Sequence, residues 1–216
     1  YINVIRRNCF RVIKIVDDII DINKIEQGFF KIHLGNFDIV EIVKELVLSC
    51  KEIFEMKGIS IDFYSEFDKK VIACDREKIE RVILNLLSNS FKFTNKGGYV
   101  KISMTKGDNG YIDISVEDNG QGIPSEMQNK VFNKFVQVEN EENYCGTGIG
   151  LSLVKSIMEA HGGSVELESK YKEGSRFILK LPDRNIKGKK SEDLSYLKFY
   201  DDAISNKVNV EFSDIM

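Results

Sequence analysis

Apolar residues at the start of the chain recur as Ile2, Ile5, Cys9, Val12, Val16 and Ile19, in alternating steps of three and four. That is the heptad seam of a helix that packs against other helices. Ile13 and Ile20 widen the stripe. Full burial of one such side chain is worth roughly 1.5–3 kcal/mol, so the stripe calls for covering helices. The expected cover is an upstream hairpin mate, a second copy of the chain, or both. The periodicity stops near Gln27-Gly28, where the first domain boundary is placed. "FFKIHL" (29–34) predicts a short strand closed by a turn at Gly35-Asn36.

Further on, the pattern predicts a helix over about 38–56 capped by Asp38, a strand at "ISIDFY", a short strand at "VIA", and a long helix from an Asp75 cap to about Lys92. Val100, Ile102 and Met104 alternate with polar residues, as do Ile112, Ile114 and Val116, with Gly107–Gly110 between them. Such alternation on both sides of a turn specifies an antiparallel hairpin with one buried face. A glycine-rich loop at 119–124, a short helix at 125–134, an acidic loop at 139–143 and a helix over 148–161 follow. Strands at "SVELES" and "SRFILKLP" close the core. Helices, strands and a hairpin are mixed rather than strictly alternating. The predicted fold class is therefore α+β, a two-layer sandwich of helices on a mixed, mainly antiparallel sheet, preceded by a long coiled-coil-type helix. The expected division is 1–28 for the leading helix, 29–182 for the globular domain and 183–216 for a charged tail. In the tail a lysine cluster reads as a solvated linker, and Val208, Val210 and Phe212 suggest an edge strand.

Composition narrows the function classes. With 42% hydrophobic residues among 216, the chain has material for one core and smaller pieces. Lys plus Arg number 31 against 34 Asp plus Glu, which argues against a nucleic-acid partner held by backbone electrostatics. Cys9, Cys50, Cys74 and Cys145 are far apart and lack C-x-x-C pairing, so reduced thiols in a cytoplasmic setting are expected. No apolar run approaches a spanning helix. The chain opens inside a helical pattern, which reads as a piece of something longer. Any membrane anchor is expected upstream.

The candidate chemistry starts with "CGTGIGLSLVKSIMEAHGG" (145–163), alternate glycines running into an amphipathic helix, the arrangement that suits a phosphate at a helix N-terminus. A P-loop would need G-x-x-x-x-G-K-[ST], which is absent, and a dinucleotide fold would need G-x-G-x-x-G, where Leu151 stands at the third position. Three other stretches join it. In "NLLSNSFKFT" (85–94), Asn85, Asn89 and Lys92 fall at i, i+4 and i+7, two carboxamides and an ammonium on one stripe beside an apolar face. That set suits a magnesium–triphosphate unit, because Mg²⁺ takes one or two protein oxygens and keeps waters and phosphate oxygens. Taken alone, an N-x-x-x-N pair more often hydrogen-bonds loops. "DNGQGI" (118–123) ends a buried strand on Asp118, which can accept from an adenine amino group while Gly120 and Gly122 leave room for a purine; an ordinary Asp-Asn-Gly turn is the plainer alternative. "VFNKFVQ" (131–137) sets Phe132 and Phe135 near helical spacing, a pattern that core packing also explains.

In this order the motifs resemble the catalytic ATP-binding domain of sensor histidine kinases, within the superfamily shared with DNA gyrase, mismatch-repair ATPases and heat-shock chaperones. "NLLSNSFKFT" looks like its N box, "DNGQGI" its first glycine box, "VFNKF" its F box, "GTGIGL" its second glycine box, and Gly174-Ser175 the turn before the closing strand. "RVIKIVDDIIDINKIEQG" is similar to the second helix of the family's dimerisation and phosphotransfer hairpin. The resemblance covers about 1–182 and implies ATP and Mg²⁺ as cofactors. It implies Asn89 as metal ligand, Lys92 on the phosphates, Phe93 against the adenine and Asp118 on its amino group. Gly146, Thr147, Gly148, Gly150 and Leu151 would border the triphosphate, with Ile123, Phe132 and Ser175 completing the binding set.

ATPase relatives carry Glu where this chain has Asn85. A neutral amide cannot take a proton from water, which favours phosphoryl transfer over hydrolysis and makes Asn85 and Lys92 the catalytic candidates. The family's phosphoacceptor His lies on the hairpin's first helix. His33 and His161 do not fit that place, so it is expected upstream of Tyr1. A homodimer through the hairpin and a response regulator receiver domain are the implied partners. Two alternatives stand beside this reading: a degenerate kinase serving as a dimerisation and docking module, prompted by the acidic Glu139, Glu141 and Glu142 in the lid, and a protein-serine kinase of the anti-sigma type. Ser90, where the family usually has Ala, is a minor departure.

Overall fold

Val100, Ile102 and Met104 on β4 (Tyr99–Lys106) and Ile112, Ile114 and Val116 on β5 (Tyr111–Asp118) are all fully buried on one face, as their alternation requires. The computed structural model describes residues 1–137, 147–187 and 200–213. Its elements begin with α1 (Ile2–Glu26), β1 (Gly35–Asp38), α2 (Ile39–Lys57), β2 (Ser60–Ser65), β3 (Val71–Cys74) and α3 (Arg76–Phe93). After the β4–β5 hairpin come α4 (Ser125–Gln128), α5 (Gly150–Ala160), β6 (Ser164–Lys170), β7 (Gly174–Pro182) and α6 (Tyr200–Glu211).

Five strands form a sheet in the order β2-β4-β5-β7-β6, with β2 parallel to β4 and every other pairing antiparallel. β1 and β3 make a separate antiparallel pair. Helices α2, α3 and α5 cover the inner face, so the architecture is the expected α+β sandwich behind a leading helix. Asp38 caps α2 by accepting from the Val40 N–H at 3.2 Å, and Gly58 ends it in the left-handed region. Asp75 caps α3 through the Lys78 N–H at 3.3 Å. The Asp75 N–H itself donates to Nε2 of buried His161 at 3.0 Å, which ties the start of α3 to the end of α5. Among the described residues no helix is long and apolar enough to cross a membrane.

Three local expectations are corrected. Residues 29–34 are not a strand; the His33 N–H is taken by the Asp75 carboxylate at 2.7 Å instead of a ladder partner, and the strand is Gly35–Asp38, where a turn was expected. The helix predicted over 125–134 is a single turn, Ser125–Gln128, after which the chain reaches Phe135 at a φ of +63° and bonds Gly148. Val208, Val210 and Phe212 do not form an edge strand. Ile204, Val208 and Phe212, spaced by four along α6 and just past its end, are buried, so the segment packs as a helix rather than as a strand. On α1 the apolar seam is exposed, Ile2, Ile5, Val12, Val16 and Ile19 among it, while Lys14, Asp18, Asp21 and Ile22 are buried against the rest of the chain. The lysine cluster at 189–190 and the acidic lid residues Glu139, Glu141 and Glu142 lie outside the described residues.

Candidate nucleotide-binding site

The inner face of helix α3, Ile79, Val82, Ile83, Leu86 and Leu87, is fixed in the core, and the neighbouring stripe carries the two amides, Asn85 facing the start of α5. Asn85 is buried, while Asn89, Lys92 and Phe93 are half-buried. β5 delivers Asp118 to the last turn of α3. Ser90 Oγ donates to Asp118 Oδ2 at 3.1 Å, and the Gly120 N–H donates to Asp118 Oδ1 at 3.0 Å. The Gln121 N–H donates to the Phe93 carbonyl at 3.1 Å, which stitches the glycine loop to the last turn of α3. Burial pushes the Asp118 carboxyl above its ordinary value, and the Gly120 N–H, the Ser90 hydroxyl and a backbone bond with Ser175 pull it part of the way back.

The glycines of this loop serve the protein's own backbone. A Cβ at Gly120 would overlap the Phe93 carbonyl, and one at Gly122, whose φ is +63°, would overlap the carbonyl of Lys170. The space expected for a purine is in those two directions already filled by main chain. Gly150, the first residue of α5, has a different neighbour: a Cβ there would strike the Asn85 amide. Thus the start of α5, which has no side-chain cap, abuts the middle of α3. Uncapped N–H groups at such a helix start suit an anion.

The remaining predicted residues divide between the start of α5 and the strands and loop around Asp118. The Ile149 N–H donates to Thr147 Oγ1 at 3.3 Å, and the Gly148 carbonyl accepts from Phe135 at 2.9 Å. Leu151, Ile123 and Phe132 are partly buried against the core, Phe132 edge-on to Phe177 at 6.3 Å. Ser169 Oγ accepts from the Ile123 N–H at 2.8 Å and lies 3.0 Å from Ser175 Oγ. Gly146 lies outside the described residues. One contact had no forewarning in the sequence: Asn85 Nδ2 donates to Oε1 of Glu211, from α6, at 3.4 Å, and Asn85 Oδ1 accepts from Asn89 Nδ2 at 3.3 Å.

The donor set fits Mg²⁺ in one way. Among the described residues no group of three or more His, Cys, Asp or Glu side chains could cage a metal, and no donor meets Asn89 Oδ1. A single amide oxygen completed by phosphate oxygens and waters is a shell Mg²⁺ accepts.

A family model described as histidine kinase-, DNA gyrase B-, and HSP90-like ATPase matches residues 74–185, the segment holding α3, β5, the glycine loop after it and the start of α5, but not α6. The chain belongs to this family. Histidine kinase P4 of Formosa agariphila is 33% identical over 213 residues, covering 96% of this chain but only 16% of its own length. The catalytic domain of the histidine kinase ThkA superposes with a TM-score of 0.63 at 27% identity, covering 71% of this chain and 97% of that domain. ThkA solved with the response regulator protein TrrA gives 0.66 at 25% identity, covering 85% of this chain and 50% of that one.

Proposed function

We propose that the chain is the ATP-binding catalytic core of a sensor histidine kinase, moving the γ-phosphoryl group of ATP to a His on the first helix of the hairpin, for relay to an Asp of a response regulator. The observation that carries this is the meeting of three elements at one end of the sheet: α3 touches the Asp118 loop through Ser90 and the start of α5 through Asn85. Asp118 accepts from the adenine amino group, and Phe93 lies against the ring. Lys92 and the N–H groups following Gly146, Thr147, Gly148, Gly150 and Leu151 hold the phosphates. Ile123, Phe132 and Ser175 shape the wall through their packing, and Gly120 and Gly122 set the loop's course. Asn89 presents its amide oxygen to Mg²⁺, which when bound neutralises phosphate charge. Asn85 cannot take a proton, so water at the γ-phosphate is left unactivated and a supplied imidazole is the better nucleophile.

In this reading 1–28 is the second hairpin helix, 29–182 the catalytic domain and 183–216 an appended segment. The exposed seam of α1 is the surface for the hairpin mate and a second copy. The family relationship, the kinase names of the relatives and the ThkA–TrrA complex support the kinase and its partner class. The test is transfer from radiolabelled ATP to a separately supplied hairpin carrying the His. Label on that hairpin, lost in Asn89→Ala, is the expected result; no label on it under conditions where nucleotide binds would overturn the reading.

A further inference from the structure

We infer that Glu211, at the end of α6, is a positioning residue for the metal-binding amide on α3, so that the C-terminal helix completes the nucleotide site. This rests on the proposed role of Asn89. The argument is one of donors and acceptors. Glu211 Oε1 lies 3.0 Å from Lys14 Nζ and 3.4 Å from Asn85 Nδ2. A carboxylate paired with an ammonium only accepts, so it requires the NH₂ side of Asn85 to face it. That turns Asn85 Oδ1 toward Asn89, 3.3 Å away, and an amide oxygen in turn requires the NH₂ side of Asn89. Asn89 Oδ1 is then left outward, with no donor among the described residues. Its orientation is fixed two residues away from the carboxylate that sets it. Partners that orient a metal ligand from behind in this way govern metal affinity.

The carboxylate is itself held firmly. Ile204, Val208 and Phe212 are buried, and the Phe212 ring lies edge-on to Phe91 at 5.5 Å and to Phe54 at 6.1 Å. Lys207 pairs with buried Glu80 at 2.6 Å. The Glu211 carbonyl accepts from Lys14 Nζ at 3.1 Å and from Ser88 Oγ at 3.4 Å. Lys14 also pairs with the carboxylate, which helps to hold it where it faces Asn85.

The test is the Mg²⁺ concentration for half-maximal binding of AMPPNP, read by calorimetry on the whole chain, with thermal unfolding alongside. Glu211→Met is expected to raise that concentration about tenfold. Glu211→Gln, which still offers an oxygen to Asn85, should stay near the original value. Lys14→Met removes the ion pair but keeps the acceptor, so it should lower the unfolding temperature without moving the Mg²⁺ midpoint. Because Glu211→Met removes the carboxylate from beside a buried ammonium, Lys14→Met/Glu211→Met is measured against Lys14→Met and should show the same rise. An unchanged midpoint in Glu211→Met, or in the double variant against Lys14→Met, overturns the inference while leaving the site intact. Failure of the unaltered chain to bind AMPPNP at any Mg²⁺ concentration contradicts the site itself, and the inference with it.

Discussion

Ser90 Oγ donates to Asp118 Oδ2 at 3.1 Å, joining the last turn of α3 to the end of β5 across a buried boundary. The bond fixes the carboxylate that the proposed site aims at adenine. It also leaves that carboxylate in a place that disfavours its charge. An acid whose folded pKa is raised costs stability above that pKa and ceases to do so as pH falls through it. Asp118→Asn keeps an oxygen for the Gly120 N–H and an amide for Ser90. It should therefore unfold at an equal or higher temperature at neutral pH, while losing about 1.5–3 kcal/mol of ATP affinity. Differential scanning calorimetry and a binding titration on the same variant check both halves; a less stable variant with full affinity would contradict the assignment.

Gly120 separates close packing from nucleotide contact. A Cβ there meets the Phe93 carbonyl without any ligand present, so Gly120→Ala should destabilise the nucleotide-free chain by about 1–3 kcal/mol. Urea unfolding measures this directly. A variant as stable as the original would mean that the loop and α3 are less closely joined than their contacts indicate.

Asp18 and Asp21 on α1 receive Arg81 of α3, Asp18 Oδ1 at 2.6 Å, and Lys78 reaches Asp21 Oδ2 at 2.9 Å. Burial raises the Asp18 carboxyl and Arg81 pulls it back, as expected for a charge kept inside by its partner. A double-mutant cycle between Asp18→Asn and Arg81→Met should return a coupling of about 0.5–3 kcal/mol. Amide exchange in α1 should accelerate in either single variant. Zero coupling would show that α1 is not held to the domain by this network.

His161 sits where α5 ends, its Nδ1 donating to the Ile157 carbonyl at 2.8 Å and its Nε2 accepting from the Asp75 N–H. Burial lowers its pKa from the ordinary 6.5. The unfolded chain then binds more protons just below that value. Stability from this group is complete above about pH 6.5 and lost as pH falls toward the folded pKa. His161→Leu orphans the Asp75 N–H at about 1–3 kcal/mol and should flatten the stability slope between pH 6.5 and 5 relative to the unaltered chain. Denaturant unfolding across that range supplies the comparison; an identical slope would remove His161 from the explanation.

The sandwich was readable from alternation and capping because those signals are local: Val100 to Val116 needs only its own period, and Asp38 and Asp75 act on the next turn. The motif stretches were readable for the same reason, since each is short and its side chains meet at one end of the sheet. What escaped depends on distant partners. The strand expected at 29–34 failed because a carboxylate 42 residues away captured the His33 N–H. The tail was misread because Val-Asn-Val-Glu-Phe alternates by two while Ile204, Val208 and Phe212 repeat by four, and only the floor formed by Phe54 and Phe91 chooses between them. The contact of Glu211 with Asn85 was invisible, since nothing near Glu211 in sequence belongs to the nucleotide motifs.

Hydrogen exchange of the whole chain with and without AMPPNP and Mg²⁺ tests most directly where the nucleotide binds. Protection should concentrate in 85–93, 118–123 and 147–152, the three stretches that meet around Ser90, Asp118 and Gly150. Protection confined to other segments, or none at saturating nucleotide, would contradict the account.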